Sequence, residues 1–342
     1  MNIPCEEHSV TISGVATAAS AASARIHTEI YQTPLIPAAR SGEETDSNVL
    51  FKAENFQITG SFKLRGATNK LKYMREINPD SSLPLVTASS GNHGIACAHA
   101  ASKLKQKFII VLPENVSPLK LERIQAYGIE TILHGDETGK AETHARNLAV
   151  NNGYTYVSPY NDPEVIAGQG TIGIEIIAAM QDRPIDNIFI AMGGGGLISG
   201  IGSVIKHLSP QTKIWGVAAK NSDALAASLS AGKVIKVNHL PTLADGVSGG
   251  MDTDSITFPL AQQVVDEVVT CTETEIESAF IKLALLEHQI VEGSAALALA
   301  ALYQVAHQCT GKNNVVVLCA SNISQQLIWQ TLNKARSLSG IQ

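Results

Sequence analysis

Short apolar runs alternate along the chain with longer stretches whose apolar residues recur at helical spacing. The apolar runs have the length of β-strands and occupy residues 85–88, 108–112, 130–133, 187–192, 214–218, 267–270 and 315–318. The helical stretches between most of them occupy residues 94–104, 165–180, 197–208, 274–287 and 294–304. This alternation predicts an α/β fold in which open, mostly parallel, twisted sheets are flanked by helices on both faces.

Length and composition indicate a two-lobed globular protein. A chain of 342 residues exceeds what one hydrophobic core normally serves. The apolar content of 44% with 16% charged residues allows extensive burial and argues against disorder. A net charge of -6 without a basic stripe argues against nucleic acid as a partner. No apolar run approaches the length needed to span a membrane, so we expect no membrane association.

The cysteines indicate a reducing compartment. They are scattered and odd in number, at Cys5, Cys97, Cys271, Cys309 and Cys319. They form no C-x-x-C pair, and no cluster of histidines and cysteines has metal-ligand spacing. This pattern is typical of reduced thiols in a cytosolic protein, so we expect a cytoplasmic location.

Three motifs follow the carboxyl ends of predicted strands. They are the turn Ser-Ser-Gly-Asn-His-Gly at 89–94, four consecutive glycines at 193–196, and Cys319. Ligands bind outside this end of the strands in open α/β sheets. We therefore expect the three motifs to lie on one sheet edge and to form one site.

The four glycines favour a phosphate site. They precede a predicted helix, so that backbone N–H groups and the helix N-terminus can converge on an anion. A tight turn without a ligand is equally compatible with this pattern taken alone. A dinucleotide fingerprint fits poorly, because Ser199 stands where its third glycine would be.

Lys63 is the candidate for covalent chemistry with an aldehyde. It lies early in a predicted helix with Ser61 as its N-cap, and the apolar ring of Phe62 favours the neutral amine. The 89–94 turn offers hydroxyls, an amide and N–H groups that can clamp an amino-acid carboxylate, although such residues also cap helices. Amine, turn and glycines together predict that the chain holds pyridoxal phosphate as a Schiff base.

Cys319 offers the cofactor ring an uncharged partner. A neutral thiol at the pyridine nitrogen would not enforce ring protonation as a carboxylate does. The ring would then be a more moderate electron sink, suited to elimination. A cysteine at the end of an apolar strand can equally be a small buried residue without a chemical role.

Five further segments strengthen the case. They are Thr-Pro-Leu at 33–35, Phe-Lys-Leu-Arg-Gly at 62–66, Val-Ile-Ala-Gly-Gln-Gly-Thr at 165–171, Leu-Ala-Asp-Gly at 243–246 and Val-Glu-Gly at 291–293. With the motifs above, they resemble the serine/threonine dehydratase family of pyridoxal-phosphate enzymes, which has the second, tryptophan synthase β-like fold type. The resemblance covers nearly the whole chain.

The resemblance implies a role for each candidate residue. Lys63 is implied as the catalytic Schiff-base lysine, Phe62 packs on the ring, and Asn92 contacts the ring hydroxyl. Ser90 matches the catalytic acid/base that acts from the opposite face in related racemases. The implied cofactor-binding residues are Phe62, Lys63, Asn92, Gly193, Gly194, Gly195, Gly196, Leu197 and Cys319. The implied substrate-binding residues are Ser89, Ser90, Gly91, Asn92 and His93.

The same resemblance implies a domain arrangement. Residues 1–81 and 159–342 would form a large cofactor-binding domain, and residues 82–158 a small mobile domain. The cofactor would lie in the cleft between these two lobes.

The chain departs from the family pattern at two places. It has Cys-Ala-Ser-Asn at 319–322, where many members carry Ser-Gly-Gly-Asn, which affects the expected substrate preference. Racemase-like members hold a divalent cation with acidic residues, and the matching positions here are Ala218, Ser222 and Ala224. We therefore expect no tightly bound metal.

The implied activity is that of a pyridoxal-phosphate-dependent ammonia-lyase. Such a dehydratase removes water from L-threonine and/or L-serine by α,β-elimination and releases 2-oxobutanoate or pyruvate plus ammonia. We expect a small amino acid as the substrate, a role in amino-acid catabolism and, from base rates, a homodimer. Serine racemase-type and hydroxyectoine-utilisation dehydratases of the same family stay open as alternatives.

Three hypotheses fall outside that activity. A β-replacing enzyme of the cysteine-synthase kind would use the same lysine, but those enzymes normally have threonine where His93 stands. A serine hydrolase would use Ser248 in Gly-Val-Ser-Gly-Gly at 246–250, although the required strand before it is missing. A catalytically silent binding protein would retain all the chemical residues without using them.

Overall fold

The computed structural model describes the backbone of residues 11–339 and the side chains of residues 11–334, so Cys5 and the outer ends of the predicted large domain lie outside the described residues. The strands are β1 Leu35–Pro37, β2 Asn48–Lys52, β3 Leu85–Ala88, β4 Phe108–Leu112, β5 Glu130–Leu133, β6 Thr155–Tyr156, β7 Asn187–Ala191, β8 Lys213–Ala219, β9 Glu267–Cys271 and β10 Asn313–Val317. The α-helices are α1 Ile12–Ile26, α2 Ser41–Glu44, α3 Lys63–Ile77, α4 Asn92–Leu104, α5 Pro118–Gln125, α6 Thr138–Asn152, α7 Pro163–Met180, α8 Gly196–Leu208, α9 Ala224–Ala231, α10 Thr257–Val264, α11 Glu273–Leu285, α12 Gly293–Gln304 and α13 Gln325–Ser339.

The larger of the two sheets has six strands in the order β1-β2-β10-β7-β8-β9. Its strands pair in parallel except for β1, which runs antiparallel to β2. The inner strands β7 and β10 are buried over nearly their whole length. Helices on both faces of a parallel sheet require such continuous apolar strands, which is why the sequence shows unbroken apolar runs here.

The smaller sheet has four parallel strands in the order β5-β4-β3-β6. These four strands lie between Leu85 and Tyr156. The predicted α/β class with open, mostly parallel sheets in two lobes is confirmed, and every predicted strand and helix is present with its ends shifted by at most one or two residues.

Several elements escape prediction from the sequence. The helix α1 is rich in alanine and carries no strong apolar stripe, yet its Ala16, Ala19 and Ala22 are buried. It packs on α7 and α8, where a Cβ added at Gly170 would lie only 2.7 Å from the Cβ of Ala19. Close approach of small residues stabilises this helix, and that complementarity is invisible to a search for large apolar residues.

The helix α3 is anchored by buried ion pairs. Arg65 is fully buried, and its guanidinium donates to Glu54 at 2.8 Å and to Glu175 at 2.6 Å. Glu175 also accepts from Lys52 in strand β2. Because an unpaired buried charge is strongly unfavourable, the four groups depend on one another. The cluster fixes the first turn of α3, and therefore Lys63, against the large sheet.

The predicted domain division stays a prediction. The small sheet falls inside residues 82–158, but Leu64 and Leu71 of α3, assigned to the large domain, share a core cluster with Leu85 and Ile110 of the small sheet. Within residues 11–339, no helix is long and apolar enough to cross a membrane.

Candidate active site

The amine of Lys63 lies in an apolar setting at the start of α3. Its Nζ donates to the carbonyl oxygen of Pro159 at 2.7 Å and lies 5.1 Å from the centre of the Phe62 ring. Burial lowers the pKa of Lys63 to about 8, although acidic groups around it oppose the shift. A substantial fraction of the amine is therefore neutral, and nucleophilic, at mildly alkaline pH.

The predicted N-cap of this helix is wrong by one residue. Phe62 occupies the N-cap position, and it has no side-chain oxygen to offer. Ser61 stands just outside, where its Oγ accepts a hydrogen bond from the Lys63 N–H at 3.1 Å. The serine thus still satisfies a backbone donor at the helix start, which is the physical basis of the prediction.

The glycines between β7 and α8 are required by their surroundings. A Cβ added at Gly194 would lie 2.5 Å from the ring of Tyr160. Gly195 has a φ of +90° and its added Cβ would lie 2.9 Å from Thr257. The turn therefore excludes a side chain at Gly194 for steric reasons. At Gly195 it excludes one both for steric reasons and because the backbone has a positive φ.

This turn leaves backbone donors available. Within the described residues, no hydrogen bond uses the N–H of Gly193, Gly194 or Gly195, and the first turn of α8 contains no acidic residue. Free N–H groups beside a helix N-terminus form a positively polarised cradle for an anion. The cradle fits a phosphate group, as the sequence predicts.

The turn at 89–94 precedes α4 and crosses directly into it. Asn92 is the first helical residue, and Gly91 at the N-cap has no side chain to cap the helix. A Cβ added at Gly94 would lie 1.9 Å from the carbonyl oxygen of Ser89, so only glycine fits there. Ser89, Ser90 and Gly91 are partly buried, as expected for residues that line a site.

His93 turns its ring into the protein interior. Its Nε2 lies 3.2 Å from the carbonyl oxygen of Val157, and the thiol of Cys97 lies 3.5 Å from the same nitrogen. Burial and the nearby charge of Lys63 lower the pKa of His93 to about 3, so the ring is neutral. A contact between His93 and the substrate stays a prediction. Because the ring faces the interior, the backbone N–H of His93 would have to make that contact.

Cys319 follows β10 and lies close to the reactive amine. It is buried, and its carbonyl oxygen accepts from the Phe62 N–H at 3.1 Å. Burial and the negative charge of Glu292 raise the pKa of Cys319 well above its ordinary value. The side chain is therefore a neutral thiol, in agreement with the electronic argument made from the sequence.

The three motifs do not share one sheet edge. The 89–94 turn follows β3 of the small sheet, whereas the glycines follow β7 and Cys319 follows β10 of the large sheet. Elements of the two sheets nevertheless approach each other there. Asn92 of α4 donates to Glu292, which directly precedes α12, at 2.9 Å, and the Lys63 amine donates to Pro159, the neighbour of the Tyr160 that covers Gly194. The prediction of a single edge is wrong, because strand order and sheet membership are set by long-range packing.

Glu292 is the functional candidate that sequence reasoning missed. It is buried, and burial together with the charge of Asp245 raises its pKa to about 7, although Asn92 donates to it. The Val-Glu-Gly segment is part of the family resemblance, but nothing local distinguishes this glutamate from a solvated one. What marks Glu292 is a contact distant in sequence: an added Cβ at Gly246 would lie 2.5 Å from Glu292 Oε1.

The environment of Ser248 does not fit a nucleophile. It follows a short 3-10 helix at Asp245–Val247, and no strand precedes it. The strand–turn–helix elbow that such a serine requires is absent at this point of the chain. Among the described residues, no group of three or more potential metal ligands is present.

A nucleophilic amine, a phosphate cradle and a polar turn at a helix start, gathered between two parallel sheets, define an enzyme that works on amines with a phosphate-bearing aldehyde cofactor. The glycine turn, with its backbone N–H groups free and no side chains in the way, fits the phosphate of pyridoxal phosphate. The amine of Lys63 fits an imine with its aldehyde.

Comparison with known proteins gives the same class. A family model described as pyridoxal-phosphate dependent enzyme matches residues 26–320. The L-threonine ammonia-lyase of Thermotoga maritima is 36% identical over 312 residues, which cover 91% of this chain and 76% of that protein. The processed form of threonine deaminase isoform 2 from Solanum lycopersicum has a TM-score of 0.88 at 31% identity, covering 95% of this chain and 88% of its own. Maize serine racemase has a TM-score of 0.85 at 29% identity, with coverage of 95% and 98%.

The chain therefore belongs to the pyridoxal-phosphate dependent enzymes of the second fold type, in their serine/threonine dehydratase family. Pyridoxal phosphate is its cofactor. The family and the cofactor predicted from the sequence are both confirmed.

Proposed function

We propose that this protein is an ammonia-lyase that dehydrates L-threonine and/or L-serine to 2-oxobutanoate or pyruvate plus ammonia. The observation that carries the proposal is the amine of Lys63, whose pKa is lowered to about 8, in a chain with a free phosphate cradle and an L-threonine ammonia-lyase among its relatives. Elimination needs a base beside the substrate Cα and a leaving hydroxyl on Cβ, and both substrates supply that hydroxyl.

The residues that hold the cofactor follow from the site. Gly193 to Gly196 and Leu197, at the start of α8, would bind the phosphate through backbone N–H groups, and Phe62 and Cys319 would flank the ring. When bound, pyridoxal phosphate supplies an aldehyde for imine formation and an electron-withdrawing ring that acidifies the substrate Cα–H.

The chain's own groups would move the protons. Lys63 Nζ, as the neutral amine, would take the proton from the substrate Cα and would deliver it to the departing hydroxyl, which would leave as water. The pKa of about 8 suits this exchange, because a general base is most effective when its pKa lies near the working pH. The turn formed by Ser89, Ser90, Gly91 and Asn92 would hold the substrate carboxylate and exclude water.

Racemisation is the second candidate activity. Ser90 is implied as an acid/base on the face opposite Lys63, and maize serine racemase is among the similar structures. A hydroxyl there could return a proton to Cα from the other side. Elimination and racemisation would then compete after the same Cα deprotonation.

We also propose that residues 82–158 act as a small domain that closes over the substrate, and that the enzyme works in the cytoplasm. The four cysteines within the described residues are unpaired and buried, which supports a reducing compartment. Release of the enzyme with the soluble cytoplasmic fraction on cell rupture tests the location.

The decisive experiment measures 2-oxo acid and ammonia release from L-serine, L-threonine, their D forms and 3-hydroxyaspartate. We expect turnover of at least one of the L-amino acids and its loss by about 10³-fold or more in Lys63→Ala. Borohydride reduction followed by peptide mapping should place the cofactor on Lys63. A reduced cofactor on another lysine would refute the assignment of the site. Labelled Lys63 with no turnover of any amino acid in the panel would refute the assignment of the substrate.

A further inference from the structure

Four polar side chains form a hydrogen-bonded chain across the site. Arg123 Nη2 donates to Asn322 Oδ1 at 2.8 Å. Asn322 Nδ2 donates to Asn92 Oδ1 at 2.7 Å, and Asn92 Nδ2 donates to Glu292 at 2.9 Å. Arg123 and Asn92 lie on helices that flank the small sheet, whereas Asn322 and Glu292 lie on segments that follow or flank the large sheet. We call these residues the Arg123–Glu292 chain.

The two ends give the chain a direction. A guanidinium can only donate hydrogen bonds and an ionised carboxylate can only accept them. The two amides between them must therefore each turn the oxygen toward Arg123 and the NH₂ group toward Glu292. Orientation of an asparagine amide is decided by such partners, because its two ends have nearly the same shape.

Asn322 is fully committed to this arrangement. Its oxygen accepts from Arg123, and its two N–H groups donate to Asn92 and to the carbonyl oxygen of Thr59 at 2.9 Å. The space for it exists because position 60 is glycine: a Cβ added at Gly60 would lie 3.0 Å from Asn322 Oδ1, and its φ is +71°. No alternative amide orientation would satisfy all three partners.

The side-chain amide of Asn92 has a second N–H group that can serve another acceptor. Its Oδ1 is occupied by Asn322, and its Nδ2 lies 2.9 and 3.2 Å from the two oxygens of the Glu292 carboxylate. One N–H shared between those two oxygens suffices for this contact. The second N–H is the group that the proposed contact with the cofactor ring oxygen needs. If the amide were reversed, an acceptor would face that oxygen and the contact would be lost.

Glu292 does not hold Asn92 equally well at every pH. Its pKa is raised to about 7, so below that value the carboxyl is protonated and can itself donate. The titratable groups facing it are Asp245, whose charge raises the pKa, and Lys63 and Cys319, whose electrostatic interaction with it is favourable and unfavourable respectively. Below pH 7 the direction of hydrogen bonding in the Arg123–Glu292 chain then depends on the end formed by Arg123 and Asn322.

We propose that Arg123, acting through Asn322, is a positioning residue that fixes the Asn92 amide with its donor toward the cofactor. Arg123 is exposed and far along the chain from any residue assigned to the site. This inference rests on the proposed cofactor contact of Asn92, and it adds a remote residue on α5 to the machinery that holds the ring.

The first test compares cofactor affinity of Arg123→Met with that of Lys120→Met, which removes the same charge from the same exposed helix. The holoenzyme is equilibrated by dialysis at a series of pH values and the bound cofactor is measured by its absorbance. We expect the Arg123 variant to bind about five- to tenfold more weakly than wild type at pH 6 and within about twofold of it at pH 9. Lys120→Met should match wild type throughout.

The sign follows from the ionisation of Glu292. Above pH 7 the carboxylate alone selects the donor end of Asn92, so loss of Arg123 matters little. Below pH 7 that selection disappears, and only Asn322 remains to make it, oriented by Arg123 and by the carbonyl oxygen of Thr59. An effect equal at both pH values, or equal to that of Lys120→Met, would overturn the proposal.

A second variant should reverse the direction of hydrogen bonding in the Arg123–Glu292 chain without changing the size of the side chain at position 322. In Asn322→Asp the new carboxylate can accept from Arg123 but cannot donate to Asn92, so Asn92 should turn its NH₂ group toward position 322. We expect cofactor affinity to fall by about tenfold or more at pH 6, where Glu292 no longer selects the opposite orientation, and the Arg123→Met change to have little further effect in this background. Additive effects of the two changes would show that the residues act independently and would contradict the inference.

The outcomes separate this inference from the proposed function. If borohydride fails to mark Lys63 in wild type, the proposed site is wrong. The Arg123–Glu292 chain then has no cofactor to position. If Lys63 is marked and the amino-acid panel is turned over, while Arg123→Met behaves like its control, only the positioning role fails.

Discussion

At the scale of single residues, burial shifts the pKa values of several groups in the candidate site. It lowers the pKa of His93 to about 3 and raises the pKa values of Cys97 and Cys319, so these three groups are neutral at physiological pH. Lys63 and Glu292 differ, with pKa values of about 8 and about 7. They are the two groups of this site that can exchange protons under working conditions.

The pKa of Lys63 predicts how cofactor incorporation depends on pH. Imine formation requires the neutral amine, and a lysine with its pKa lowered to about 8 becomes neutral as the pH rises through that value. The initial rate of absorbance change after adding pyridoxal phosphate to the cofactor-free protein should therefore rise about tenfold between pH 7 and pH 9 and then level off. Nα-acetyl-lysine provides the control with an ordinary amine, for which the rate keeps rising beyond pH 9. The same continued rise in the protein would contradict the buried setting of Lys63.

At the scale of elements, the phosphate cradle depends on the junction of β7 and α8. The strand ends at Ala191, the helix begins at Gly196, and the residues between them bring their N–H groups to one place. A helix N-terminus carries partial positive charge, which adds to these donors. Tyr160 covers the junction so closely that a side chain at Gly194 has no room.

We therefore expect Gly194→Ala to weaken cofactor binding strongly. The added methyl would meet the Tyr160 ring at 2.5 Å, so the turn or the ring must shift and the N–H groups would no longer converge. Affinity for pyridoxal phosphate, measured by fluorescence titration, should fall by about 100-fold, which corresponds to roughly two lost hydrogen bonds to a charged group.

Gly139→Ala is the matched control for this change. Position 139 lies in helix α6, and an added Cβ there meets no atom within 4 Å. Alanine is a better helix former than glycine, so this variant should gain about 0.5–1 kcal/mol in its free energy of unfolding and bind the cofactor normally. Unchanged affinity in Gly194→Ala would show that the phosphate lies elsewhere.

At the scale of the whole molecule, one set of contacts joins the two lobes and one apolar surface faces outward. The lobes are joined by Arg146 of α6, which donates to Asp252 at 3.1 Å, and by the Arg123–Glu292 chain. The apolar surface faces outward: Tyr31, Phe56 and Ile58 are 59%, 48% and 40% exposed. These three residues are neighbours, because the side chain of Gln57 accepts from the N–H groups of both Tyr31 and Ile58.

An exposed cluster of this kind predicts a homodimer. Large apolar side chains grouped on a surface mark contact sites, and two-fold dimers are the commonest oligomers. Light scattering should give a mass of about twice the 36.2 kDa of the chain. The pair Phe56→Ser and Ile58→Ser should shift it toward the monomer, whereas Val150→Ser, at an 82% exposed position on α6, should not. A wild-type monomer, or a dimer indifferent to the first pair, would contradict this interface.

Much of the fold was predictable because its signals are local. Apolar runs give strands and helical periodicity gives helices within a residue or two, as at 85–88 and 165–180. Strand β2 was missed since it ends in Lys52, a charged residue that only the buried Glu54 and Glu175 make tolerable. Elements held by partners distant in sequence carry no local pattern to read.

By itself the sequence determined the α/β class and the cofactor, and it proposed Lys63 and the four glycines as the residues that hold it, because turns and reactive groups are specified by the residues at those positions. Only the tertiary structure decided that the 89–94 turn follows a strand of a different sheet from the glycines and that Glu292 lies buried against Asn92. The pKa of a group and the direction of a hydrogen-bonded chain depend on burial and on partners hundreds of residues away. Those are properties of packing in space, and no single stretch of the chain contains them.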